Sequence, residues 1–193
     1  EFRTIDNLCS FLGGSLMIEP DSLKAALSSP EICEKYGKKP QTVIGIFVPD
    51  TYDIYWHTSI GALLDKLYAN YNSFWNETRV EKAKALGLTP DEMITVASIC
   101  EEESNIMSDR GTIGRLYINR LRKGMPLQAD PTVKFALGDF SIKRISGDML
   151  NVDSPYNTYR YKGLPPGPIR MVDKRTIDAI FAAGDNNYLY MCA

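Results

Sequence analysis

Residues 89–104 read T-P-D-E-M-I-T-V-A-S-I-C-E-E-E-S, and the fold assignment turns on them. The segment carries a complete helix start. Thr89 can cap, Pro90 suits the first helical position, and Glu92 follows three residues after the cap to close a capping box. At about 100° per residue, Met93, Val96, Ala97 and Cys100 fall on one apolar face, with Ile94 at its edge. Glu101 lies inside that sector, Glu102 points the opposite way and Glu103 sits on the other flank. The three glutamates are therefore not equivalent. A carboxylate on an apolar face must be paired, neutralised or used. Desolvation there raises its pKa, as a general acid working near neutral pH requires. The same placement also suits a carboxylate that crowns a buried stripe and reaches water or an arginine. Helical geometry leaves both open.

Working outward, the 193 residues are 44% hydrophobic and 24% charged, a globular composition with room for one sizeable core. A net charge of -2 gives no basic stripe for nucleic acid, and no run of about 18 apolar residues is present to span a membrane. Cys9, Cys33, Cys100 and Cys192 show no CxxC spacing; they allow two disulfides in any connectivity, or free thiols. Cys100, on its apolar helix face, is expected to be a free buried thiol. With His57 the only histidine and the cysteines scattered, neither a metal site nor a Cys/His nucleophile is expected. His57 itself reads as a surface or boundary residue.

Before this segment, residues 3 to 36 read as short helices, and Gly37-Lys38-Lys39-Pro40 is the best candidate boundary. T-V-I-G-I-F-V (42–48) is the most strand-like run. Tyr55 and Trp56 follow a turn, where aromatics pack a domain edge or stack on sugar rings. Ser59 to Lys84 reads as one helix. After it, Ser108 to Leu121 forms an amphipathic helix stopped by Gly124, and Asp130-Pro131 looks like a cap and first turn. Ser154 to Pro168 is a proline-stiffened loop able to present Tyr and Asn side chains at little entropic cost. Asp173 to Ala183 is helical, and Asn187 to Met191 reads as a final strand. The expected class is α+β, mostly helical with a small β-sheet.

Four stretches now combine: A-S-I-C-E-E-E (97–103), Y-I-N-R-L-R-K-G-M-P-L-Q-A-D-P-T (117–132), S-P-Y-N-T-Y (154–159) and G-L-P-P-G-P-I (163–169). With F-V-P-D-T-Y (47–52) and Y-L-Y (188–190) in the same order, the chain resembles the YceG-like family of endolytic murein transglycosylases. Each motif is weak alone, but together and in register they are specific, over roughly the last three quarters of the chain. The resemblance implies an α+β catalytic domain at 41–193 that continues past Ala193 into a His-x-Phe-type motif. Residues 1–40 would be the end of a LysM-proximal region, preceded by an N-terminal membrane anchor.

It further implies lytic cleavage of the MurNAc-β-1,4-GlcNAc bond of peptidoglycan, leaving 1,6-anhydro ends, with no metal or cofactor. The expected location is the outer face of the cytoplasmic membrane, beside peptidoglycan polymerases. Glu101 aligns with the family's catalytic glutamate. Glu103, Gln128, Asp130, Asn157 and Tyr159 match motif positions and are the candidate substrate contacts. Asp130 is equally suited to capping a helix, and Glu103 to pairing with Arg110 or Arg120. Two alternatives stand beside this. One is a hydrolytic muramidase with Glu101 as acid and Glu103 or Asp130 as second carboxylate. The other is a non-catalytic peptidoglycan-binding or scaffold module.

Overall fold

The computed structural model describes residues 2–191. Its regular structure is α1 (Ile5–Ser15), α2 (Pro20–Ser28), α3 (Pro30–Lys35), α4 (Ile60–Phe74), α5 (Glu77–Ala85), α6 (Pro90–Glu103), α7 (Met107–Arg122), α8 (Asp130–Leu137) and α9 (Lys174–Ala182). Two short 3₁₀ turns, Val43–Ile46 and Gly147–Asn151, complete it. Helix α6 starts as its sequence requires, since the Thr89 hydroxyl accepts from the Glu92 N–H while the Glu92 carboxylate accepts from the Thr89 N–H. All nine residues from Met93 to Glu101 are buried, so α6 is a central helix enclosed on every side rather than an amphipathic surface helix. Its polar members are satisfied locally: the Thr95 hydroxyl donates to Asp91 O and the Ser98 hydroxyl to Thr95 O. Helices α7 and α9 pack closely on it and on each other. At their crossing an added Cβ on Gly114 would come within 2.5 Å of Ile180, so only glycine permits the approach.

No strand forms among the described residues, and this overturns the expected α+β class and its small sheet. Residues 43–46 turn instead of extending. The Gly45 N–H donates to Thr42 O and the Phe47 N–H to Ile44 O, with Val43, Ile44, Ile46, Phe47 and Val48 all buried. An unbroken apolar run has no period to separate a strand from a buried turn. Residues 187–191 form no strand either: a strand needs a neighbouring strand, and here α7 takes that place. The Asn119 amide donates to Asn186 O (2.8 Å) and Tyr188 O (3.2 Å), and Arg120 Nε to Leu189 O at 2.6 Å. The helix expected from Ser59 to Lys84 also divides. The Asn76 side chain accepts from the Arg79 N–H and begins α5, while Phe74 and Trp75 turn into the core.

The segment 36–42 is tied to α6 through Lys38, whose buried ammonium donates to Asp91 and to the Tyr71 hydroxyl. It is tied to the proline-rich loop by contact. An added Cβ on Gly167 would lie 2.0 Å from the Gln41 carbonyl oxygen. Gly167→Ala is therefore expected to destabilise the fold by about 2 kcal/mol, the usual cost of forcing extra volume into a closed contact. Chemical denaturation measures it; an unchanged midpoint would mean the two segments separate freely.

Cys9, Cys33 and Cys100 are free, buried thiols; Cys192 lies outside the described residues. Tyr55, Trp56 and His57 are exposed. Among the described residues no helix is long and apolar enough to cross a membrane.

Candidate active site

Helical geometry separates the three glutamates at the end of α6. Residues two apart differ by about 200° around the axis, so Glu101 and Glu103 face opposite sides of the helix. Each meets different chemistry.

Glu101 faces α9. Its Oε1 accepts from the Asp173 N–H (2.8 Å) and the Thr176 hydroxyl (2.7 Å), with Arg110 Nη1 at 3.7 Å. Its Oε2 meets Arg170 Nε at 3.2 Å. Asp173 caps α9, so this carboxylate sits where the helix presents unpaired N–H groups and the positive end of its dipole. The Glu101 side chain is only 3% exposed and that of Arg170 5%. Burial raises the Glu101 pKa, against the hydrogen bonds and the two guanidinium groups that favour its charged form. All four partners donate to the charged carboxylate, and only the Thr176 hydroxyl could turn to accept from a neutral carboxyl. Glu101 itself lines a cleft of about 520 Å³, together with Phe2, Pro49, Arg110, Arg170, Asp173 and Arg175 among others. Glu102 forms a second tie on this flank, accepting from Arg3 Nε and Arg170 Nη1 at 2.8 Å each.

Glu103 faces α7 and α8. Its Oε1 accepts from the Tyr117 hydroxyl at 2.7 Å. Among the described residues no hydrogen bond reaches its Oε2. Neither Arg110 nor Arg120 pairs with it directly. Arg110 turns to Ser104 O and Thr176, while Arg120 takes Leu127 O and Leu189 O. Glu103 lines a cavity of about 190 Å³ together with Tyr117, Arg120, Gln128, Asp130 and Tyr190. Burial pushes its carboxyl above the ordinary value. The Tyr117 hydrogen bond and the charges of Lys134 and Arg120 oppose that rise, and the Asp130 carboxylate adds to it.

The other candidate residues divide in the same way. Gln128 is exposed at the cavity and is the one non-glycine among the described residues with positive φ, 51°. Such a conformation persists only where its surroundings enforce it; here the Gln128 N–H bonds Thr158 O, and the Thr158 hydroxyl accepts from the Ala129 N–H. Asp130 is the first residue of α8, not its cap, and its carboxylate accepts from the Tyr159 hydroxyl at 2.6 Å. Burial, then that bond, pushes the Tyr159 pKa up and keeps the phenol neutral. Asn157 is fully buried behind the cavity; its amide donates to Leu150 O and Val152 O, and its Oδ1 accepts from the Tyr159 N–H. It shapes the loop that carries Tyr159. The structure thus gathers Glu103, Gln128, Asp130 and Tyr159, and sets Glu101 apart from them.

Tyr117 was not singled out from the sequence, although its spacing of three from Arg120 on α7 puts the two on one face. Among the described residues no group of His, Cys, Asp and Glu gathers to hold a metal ion. The Glu103 cavity instead offers one raised carboxyl, a second carboxylate, an exposed amide and tyrosine hydroxyls. That is a set suited to proton transfer and to hydrogen bonding a polar substrate such as a sugar.

Comparison with known proteins gives one consistent result. The model of the YceG-like family matches residues 4–193. An endolytic murein transglycosylase of Bacillus subtilis is 37% identical over 136 residues, covering 70% of this chain and 37% of its own length. One from Streptococcus pneumoniae is 35% identical over 144 residues, covering 70% of this chain and 25% of its own length. The chain therefore spans about a third or less of the curated relatives it matches. A crystal structure of a yceG-like protein from Listeria monocytogenes superposes with a TM-score of 0.79 at 27% identity. That superposition covers 98% of this chain and 67% of the other.

Proposed function

The chain belongs to the YceG-like family, and from that premise we propose that it is an endolytic peptidoglycan lytic transglycosylase whose general acid and base is Glu103. The observation that carries the choice is the division across α6. Both glutamates border a cavity, but both oxygens of Glu101 are taken by donors, whereas among the described residues no hydrogen bond reaches Oε2 of Glu103, which opens beside Gln128 and Asp130. A general acid must reach the substrate oxygen, and its proton must have somewhere to go.

The cycle needs one carboxyl. Neutral Glu103 gives its proton to the bridging oxygen between MurNAc and GlcNAc, and the bond from C1 to that oxygen breaks, its electron pair leaving with GlcNAc. The 6-hydroxyl of the same MurNAc closes on C1 and forms the new C1–O6 bond. Its proton passes to the Glu103 carboxylate, which restores the acid. The nucleophile is held by the substrate itself, so proximity replaces an activated water. Gln128 and the Asp130–Tyr159 pair are positioned to hold sugar hydroxyl and amide groups at the cavity. The relatives' name, endolytic murein transglycosylase, supports glycan strands of peptidoglycan as the substrate. Action at the outer face of the cytoplasmic membrane, beside the polymerases, belongs to the same reading.

Asp130 beside Glu103 also supplies a second carboxylate, the pair that a hydrolytic muramidase uses. Mass spectrometry of glycan ends separates the two. Exposure of uncrosslinked strands to the protein is expected to yield 1,6-anhydromuramyl ends. Reducing ends would assign hydrolysis, and retained glycan binding without new ends would assign a binding module.

A further inference from the structure

We propose that Tyr117 is a positioning residue for the reaction, fixing which oxygen of Glu103 carries the proton. The inference rests on the reading of Glu103 as the acid and adds a residue to it.

The Tyr117 hydroxyl lies 2.7 Å from Glu103 Oε1, and the residue is otherwise part of the core, 2% exposed. Its hydroxyl has no other hydrogen-bond partner among the described residues, so its proton can only point at Glu103. Burial, reinforced by the Glu103 charge, raises the Tyr117 pKa well above the ordinary value, and the phenol stays a donor throughout the working range. A carboxyl that accepts at Oε1 must hold its own proton on Oε2. Among the described residues, that is the oxygen no hydrogen bond reaches. The hydroxyl therefore aims the acid as well as stabilising the carboxylate left after proton transfer.

Tyr117 does not act on a lone group. Around Glu103 stand Tyr117 and Arg120 from α7, Asp130 and Lys134 from α8, Tyr159 from the loop beyond, and Cys100 on its own helix. Of these, Tyr117 forms the hydrogen bond, and Phe removes that bond while leaving the ring in place.

The test is a ¹³C titration of the Glu103 side-chain carboxyl in the wild-type chain and in Tyr117→Phe, with the resonance assigned by its absence in Glu103→Gln. Loss of one hydrogen bond to a charged group is expected to move the midpoint up by about one pH unit. The alkaline limb of turnover against pH should move the same way, because the acid keeps its proton longer. A midpoint within error of wild type, in a Tyr117→Phe protein of unchanged thermal stability, overturns the inference. Glu103→Gln separates the two layers. If that variant still turns over, the reading of Glu103 fails; if it is silent and Tyr117→Phe leaves the titration unmoved, only the role of Tyr117 fails.

Discussion

Glu103→Gln is expected to lower turnover by about 10²- to 10⁴-fold, the usual contribution of a positioned general acid, and at the same time to stabilise the fold near neutral pH. The second effect follows from linkage. Burial holds the Glu103 pKa above its ordinary value of 4.5, so the folded state binds a proton that the unfolded state has already released. Folding stability from this group therefore falls as pH rises from the unfolded value through the folded one. Glutamine does not titrate and escapes that loss. The gain in melting temperature of Glu103→Gln over wild type should be small at about pH 4 and grow by about pH 7. A variant that is inactive but less stable at neutral pH would point to a structural carboxylate instead.

Glu101→Gln is expected to lose more than it gains. Burial raises the Glu101 pKa as well, so removing its titration helps near neutral pH, but the variant also gives up charged partners that are themselves buried. Its carboxylate joins Arg170 and Arg110 to the N-terminus of α9, with the Glu101 and Arg170 side chains almost wholly buried. Removing one partner from a buried pair leaves the other's charge uncompensated, at a cost of about 3 kcal/mol. The low end of the range applies because Glu102 still holds Arg170 at 2.8 Å. For a domain of this size the melting temperature should drop by about 6–12 °C. Differential scanning calorimetry reads it directly, and a shift under about 2 °C would mean the cluster does not hold α9 in place.

Much of the helical order was legible in the residues. Thr89, Pro90 and Glu92 announce α6, and the capping box forms as their spacing requires. Cys100 is the buried thiol its helix face predicts. That the expected strands would not form was not legible, because an apolar run such as 42–48 reads the same whether it pairs or turns, and the choice is made by what packs around it. The different surroundings of the glutamates were not legible for a related reason. A helical wheel assumes one apolar side, but α6 is enclosed on all sides, so lying in the apolar sector did not tell that Glu101 lines one cleft and Glu103 another. Its donors from Asp173 and Thr176 are 72 and 75 residues away in the chain. Nothing local to E-E-E indicates which of the three finds arginines and which keeps an oxygen free of donors. Gln128 and Asp130 were readable as motif residues, while the positive φ of Gln128 follows from the Thr158 contacts that hold its neighbours.

The division of labour across α6 is tested most directly by counting 1,6-anhydromuramyl ends made from nascent glycan by wild type, Glu103→Gln and Glu101→Gln side by side. The temperature should lie well below the melting point of the least stable of them. New ends from wild type and from folded Glu101→Gln, with none from Glu103→Gln, are the predicted result. Ends from Glu103→Gln, with a folded but silent Glu101→Gln, would contradict it and return the proton transfer to the arginine-bound side of the helix.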